Sequence, residues 1–179
     1  MREIVQDGAA VLRAVATLVP EDMFTSPQLE ELLTDMVAAL DAEPDGVALA
    51  APQVNESLRI FIVRKDRTEP LPPLAGEAPA APRPAEVEVY INPEIVRTSR
   101  KRAKADEGCL SVRGMYGTTN RHERVTLRAR HPDGSHFTRG AGGLLAQIFE
   151  HEIDHLNGIL FTDNAEEVVK IVHHHDDAD

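Results

Sequence analysis

One cysteine, Cys109, stands in 179 residues, so no disulfide can form within the chain; this usage fits a reducing compartment and singles that thiol out. On its own, a lone cysteine reads equally well as a small buried hydrophobe. Long hydrophobic runs are missing too. No stretch has the length and apolarity of a signal peptide or a membrane span, and a cytoplasmic protein is expected. Cations are scarce relative to anions, 19 Lys and Arg against 30 Asp and Glu, and the formal charge of -11 argues against a general nucleic-acid or anionic-membrane surface, because phosphate-binding faces need excess cations. What is present, 42% apolar and 27% charged residues, is ordinary for a globular chain long enough for one domain with a substantial core.

From Ser26 to about Glu43, Leu29, Leu32, Leu33, Met36, Val37 and Leu40 recur at i, i+3, i+4 and i+7, with Ser26 as cap and Pro27 as first helical residue. The spacing predicts an amphipathic helix. "GVALAAPQ", residues 46 to 53, is interrupted by proline and reads as a loop or short strand. "RIFIV" (59 to 63), "VEVYI" (87 to 91) and the alternation at Val125, Leu127 and Ala129 read as strands, the last followed by a turn at Pro132, Asp133 and Gly134. Residues 66 to 86 hold six of the chain's twelve prolines, with no periodicity to bury, and are expected to be a loop insertion between strands. "GAGG", residues 140 to 143, lacks the spacing of a phosphate loop and reads as the approach to a helix. Strands preceding a late helix suggest an α+β fold.

That late helix carries "FEHEIDHLNG", residues 149 to 158. At 100° per residue, Leu144, Ile148, His151 and His155 share one face; Leu145, Phe149, Glu152 and Leu156 lie beside it; Gln147, Glu150, Asp154 and Asn157 form a narrow polar arc. The histidines therefore face an apolar interior, where each imidazole needs a partner and a single metal ion serves both. HExxH alone arises in roughly 3% of shuffled chains of this composition, so the apolar setting carries the weight. A metzincin would place a third histidine where Phe161 stands, and a thermolysin-like site needs a distant glutamate where only Glu166 and Glu167 remain. Upstream, Cys109 in "EGCLS" is the one soft ligand, and its thiolate would complete a site with His151 and His155.

"GVALAAPQ", "EGCLS" and "HEIDH", in that order, closely resemble the three motifs of peptide deformylase, and the likeness covers most of residues 1 to about 165. The resemblance implies antiparallel strands wrapped around a central HExxH-bearing helix, with an amphipathic N-terminal helix. It implies one divalent metal ion held by Cys109, His151 and His155: natively Fe(II), with Zn, Ni or Co as substitutes in preparations. The implied substrate is an N-formyl-methionyl peptide emerging from bacterial translation, with transient ribosome association as a further implication. Glu152 would act as base and then acid, while the Gln53 amide and the Leu110 backbone N–H would stabilise charge on the carbonyl oxygen. Gly46, Val47, Ala48, Gly108, Leu144 and Ile148 are expected to contact substrate, its methionine side chain lying near Val47, Leu144 and Ile148. The expected organisation is one catalytic domain over residues 1 to 168, with 66 to 86 as the insertion and 169 to 179 as a structureless acidic tail containing His173 to His175.

Plainer readings stand beside these: Gln53 as a surface amide, Leu110 as ordinary core, Glu107 as one half of a structural ion pair. Two positions depart from the family's usual pattern. Ala48 replaces a glycine, and its methyl group would lie close to a bound peptide; Glu150 replaces a glutamine before the first histidine. Rival functions are hydrolysis of another formyl-amide and a metal-containing peptide-binding module with little turnover.

Overall fold

The computed structural model describes residues 2–68 and 85–171. Helix α1 (Pro27–Asp41) begins as its sequence requires: Ser26 Oγ accepts the Leu29 N–H at 3.2 Å, and Pro27 occupies the first turn, where its missing N–H costs nothing. Its inner face buries Leu29, Leu32, Met36, Ala39 and Leu40.

Strands β1 (Ala48–Ala50), β2 (Ile60–Arg64), β3 (Val87–Thr98), β6 (Arg124–Arg130) and β7 (His136–Gly142) form one antiparallel sheet in the order β1-β2-β3-β6-β7. Strands β4 (Arg102–Gly108), β5 (Met115–His122) and β8 (Glu167–Lys170) form a second in the order β4-β5-β8. Short helical turns α2 (Lys65–Thr68) and α4 (Phe161–Asn164) flank these strands.

The period of two along β2 divides the core between two helices. Ile60 and Ile62 join the residues buried by α1. Phe61 and Val63 face the other way and meet Ile148, Phe149, Ile153 and Leu156 of helix α3 (Gly143–Leu156). Few as the aromatics are, they concentrate here: Phe61 stacks on Tyr90 at 4.6 Å between centroids, and Phe149 meets Tyr90 edge-on at 5.1 Å. Helix α3 touches β1, β6 and β7 of the larger sheet and β5 of the smaller, which makes it the central element that the resemblance implied. No helix among the described residues is long and apolar enough to cross a membrane.

Strand β3 runs well past the predicted end at Ile91. Asn92 adopts φ 50° and fixes the bend by accepting the Val19 N–H at 2.8 Å and donating to the Val19 carbonyl at 3.0 Å. The pairing slips between Ile91 and Glu94, so Pro93 sits in a bulge where a ladder donor is not needed. Strand β8 crosses the boundary drawn after residue 168: Val169 pairs with Tyr116 and Lys170 with Met115. Residues 66 to 68 belong to α2; the remainder of the proline-rich insertion up to residue 84, and the tail with His173 to His175, lie outside the described residues.

The C-terminus of α3 closes with paired bonds, Gly158 N–H to the His155 carbonyl at 3.1 Å and Ile159 N–H to the Asp154 carbonyl at 2.9 Å. Gly158 has φ 74°, and an added Cβ would lie 2.5 Å from the Arg13 carbonyl oxygen. Gly158→Ala is therefore expected to destabilise the protein by about 1–3 kcal/mol, read as a lower urea midpoint at unchanged m-value.

Candidate metal centre

Cys109 follows the last residue of β4, and the preceding Gly108 pairs with Tyr116. An added Cβ at Gly108 would lie 2.9 Å from the Tyr116 ring, so glycine is what lets β4 lie against that ring while the chain turns inward. The Cys109 Sγ lies 3.2 Å from His155 Nε2, and the donor atoms of Cys109, His151 and His155 all fall within 4.8 Å of one another. His151 and His155, one turn apart on α3, set their rings 4.9 Å apart at 79°.

Glu107, two residues before Cys109 and on the same side of the chain, accepts from His151 Nδ1 at 3.0 Å. That contact directs the other ring nitrogen, Nε2, toward the cluster. Glu107 also accepts from Arg121 Nε at 2.6 Å, Arg121 Nη2 at 2.9 Å and Thr119 Oγ1 at 2.8 Å, while Arg121 Nη1 reaches Asp154 at 2.7 Å. It is thus an ion-pair partner and a support for His151 at once. Burial alone would raise its pKa; the Arg121 and His151 hydrogen bonds outweigh it and hold the carboxyl at about 2.

Burial works against a proton on His151, but its hydrogen bonds to Cys109 and Glu107 raise its pKa well above the ordinary value. His155 moves the opposite way, lowered by burial and then by His151. A thiolate and two imidazoles at this spacing fit a borderline-soft divalent ion such as iron, zinc, cobalt or nickel.

Glu152 is 3% exposed, and its Oε2 has no hydrogen-bond partner among the described residues. Burial pushes its pKa up to about 7, with His151 pulling it down and Glu107 adding to the rise. Gln53 is buried rather than at the surface. Its Oε1 is fixed by the Ala50 N–H at 2.9 Å, so its NH2 points to Ser111 Oγ at 3.2 Å and toward the Cys109 Sγ at 3.6 Å. Leu110 packs partly buried against the α1 core.

A cavity of about 560 Å³ is lined by Gly46, Val47, Ala48, Gln53, Gly108, Cys109, Leu110, Leu144, Ile148, His151 and Glu152. The three sequence motifs therefore meet at one cleft, with His155 buried behind it and Leu144 45% exposed. Strand β1 is an edge of its sheet. The Arg64 N–H donates to the Val47 carbonyl at 2.8 Å, and antiparallel alternation then turns the Ala48 main-chain groups away from β2. The Ala48 methyl belongs to the core cluster with Phe61 and Val63, so it stands off the line of that free edge. Glu150, placed in the polar arc by its spacing, is not solvated: its side chain is 12% exposed and bonded to His122. Arg121, Thr119 and His122 are not legible in the sequence as parts of the site, and Ser111, though inside "EGCLS", has no role assigned there. Their partners Gln53, Glu107 and Glu150 each draw notice in the sequence, Glu107 as one half of an ion pair.

Because the folded pKa of Glu107 is depressed, the stability it contributes is complete above its ordinary value of 4.5 and disappears as pH falls toward about 2. Wild type is expected to lose up to about 3 kcal/mol across that window. Urea melts of wild type and Glu107→Gln at pH 6 and pH 3 check this, the variant being less stable at pH 6 and less sensitive to acid.

A family profile described as polypeptide deformylase matches residues 1–170. Similar curated proteins include the peptide deformylase of Desulforudis audaxviator, 35% identical over 168 residues that cover 94% of this chain and 96% of that one. That of Natranaerobius thermophilus is 42% identical over 143 residues, 80% of each chain. Among solved structures, the actinonin-bound class I type b peptide deformylase of Acinetobacter baumannii superposes with a TM-score of 0.78 at 31% identity, covering 93% of this chain and 99% of that one. A peptide deformylase from Legionella pneumophila gives a TM-score of 0.76 at 35% identity, covering 93% and 86%. Likeness of this extent spans both sheets and the helix that bears the two histidines, and the chain belongs to the peptide deformylase family.

Proposed function

We propose that this protein is a metal-dependent hydrolase that removes the formyl group from the N-terminal methionine of newly synthesised peptides. The observation that carries the reading is the buried Glu152 carboxylate, which shares one cleft with the Cys109 and His151 donors and has an oxygen without a partner among the described residues. Support also comes from a relative in the solved structures, the Acinetobacter baumannii enzyme, which has been crystallised with Met-Ala-Ser bound.

Cys109, His151 and His155 would hold the ion, with Fe(II) as the native metal and Zn, Ni or Co as substitutes. When bound, such an ion supplies Lewis acidity and makes water acidic enough to act as a nucleophile near neutral pH. Glu152 takes the proton of the attacking water and delivers it to the amine nitrogen as the C–N bond breaks, so formate and a free amino terminus leave. The Gln53 NH2, held by the Ala50 and Ser111 contacts, and the Leu110 N–H donate to the carbonyl oxygen as it gains charge. The peptide runs as an added strand along the free edge at Ala48, with Gly46 and Val47 beside it and Gly108 on the opposite wall. Val47, Ile148 and the half-exposed Leu144 receive the methionine side chain.

One catalytic domain performs this chemistry in the cytoplasm, with ribosome contact bringing it to emerging chains. Iron-loaded protein is expected to release formate from formyl-Met-Ala-Ser; binding of that peptide without release would leave the binding-module reading, and release from other formyl-amides alone the rival hydrolase. Glu152→Gln is expected to keep one ion per chain by elemental analysis and to lose turnover by about 100-fold or more. Cys109→Ala is expected to fall well below one ion per chain under the same loading, and unchanged affinity would remove Cys109 from the ligand set.

A further inference from the structure

Glu150 immediately precedes His151, and its carboxylate is enclosed against the end of β5. Its Oε2 accepts the His122 backbone N–H at 2.7 Å, and its Oε1 accepts from His122 Nδ1 at 2.6 Å. On the other side of that ring, Arg102 Nε donates to His122 Nε2 at 3.2 Å, across the Arg102 to His122 register of β4 and β5. A guanidinium only donates and a carboxylate only accepts, so the ring proton sits on Nδ1. One turn further along α3, Asp154 accepts from Arg121 Nη1 at 2.7 Å. Glu150 and Asp154 lie on one stripe of the helix, four residues apart, and two consecutive residues of β5 grip that stripe.

We propose that the Glu150 contact with His122 is a positioning device for the metal ligands: it fixes the rotation of α3 about its own axis, so that His151 and His155 meet Cys109. This rests on the metal-centre reading above. The helix has no side-chain cap at its start, where Gly142 and Gly143 stand, and in its first turns Gln147 Nε2 donates to the Asp106 carbonyl at 2.8 Å. Side chains reach about 5–6 Å from a helix axis, so a rotation of about 20° moves an imidazole by about 2 Å, as long as a metal–nitrogen bond. His151 against Glu107 and Asp154 against Arg121 tie the helix to β4 and β5 at its middle and C-terminal end. Glu150 adds the contact that lies directly beside His151 in sequence, and half of its grip is a main-chain N–H that no rotation of the His122 side chain can withdraw.

Titration of apoprotein with Co(II) tests the device without recourse to turnover, because the visible d–d bands report coordination geometry and the titration reports affinity. Wild type is expected to bind one Co(II) with bands that disappear in Cys109→Ala; failure of that control overturns the metal-centre reading itself. Given the control, Glu150→Ala is expected to weaken Co(II) affinity by about 10-fold or more and to alter the band positions or intensities. Glu150→Gln, whose amide oxygen still accepts the His122 N–H, is expected to stay within about 3-fold of wild type. Glu150→Ala with wild-type affinity and bands, whatever its melting temperature, would overturn the proposal. If Glu150→Ala does not fold, His122→Ala decides: it keeps the main-chain bond, loses the ring, and is expected to shift the bands measurably. Unchanged bands there would equally overturn the proposal.

Discussion

Glu107 lies between the Arg121 guanidinium and the His151 ring, and the arrangement of donors in the cleft depends on that pairing. A carboxylate 4% exposed and without a cation would neutralise itself or reject the fold, because an unpaired buried charge costs several kcal/mol. Burial also opposes charge on Arg121, yet Glu107 and then Asp154 hold it firmly cationic. The same residues join β4, β5 and α3, so the small sheet cannot move relative to the helix without disturbing a charge pair. Electrostatic satisfaction and ligand geometry are one requirement here, met by one set of bonds.

The larger sheet has a different task. With α1 on one face and α3 on the other, β2 is buried along its whole length, and its two sets of side chains tie the helices to a single layer. What the sheet contributes to the site is its edge: among the described residues β1 has no neighbour on the side away from β2, and the Gln53 amide that follows it is locked to the Ala50 N–H. An inner strand could not present main-chain groups to a ligand.

How far the chain could be read before its structure follows from where each signal resides. Helices α1 and α3 and strands β2 and β6 announce themselves through periodicity, because each buries a face or a whole strand. Strands β4, β7 and β8 are largely polar or exposed, and their stability comes from pairing, which leaves no mark on the local pattern. The continuation of β3 through Pro93 depends on Asn92 meeting Val19, a contact between distant residues. The same division runs through the site. Cys109, His151, Glu152 and His155 sit in compact motifs, whereas Arg121 and His122 gain their meaning only from the β4–β5 register. A helical wheel placed Glu150 in the polar arc correctly by angle, but it contains no information about the strand end waiting there.

The connection from β2 to β3 is closed at its root: the Lys65 N–H meets the Glu86 carbonyl at 2.9 Å, and Asp66 accepts the Glu86 N–H at 3.2 Å while paired with Arg64. Once the ends of a loop are held together, doubling its length adds only about 0.6 kcal/mol of closure entropy. The root is also joined to the cleft wall, since Arg67 Nη1 donates to the Gly46 carbonyl at 2.6 Å and to the Glu43 carbonyl at 2.8 Å. Added length beyond that root is thus cheap in closure entropy so long as Lys65, Asp66 and Arg67 keep their bonds, which makes it the place to graft a foreign peptide.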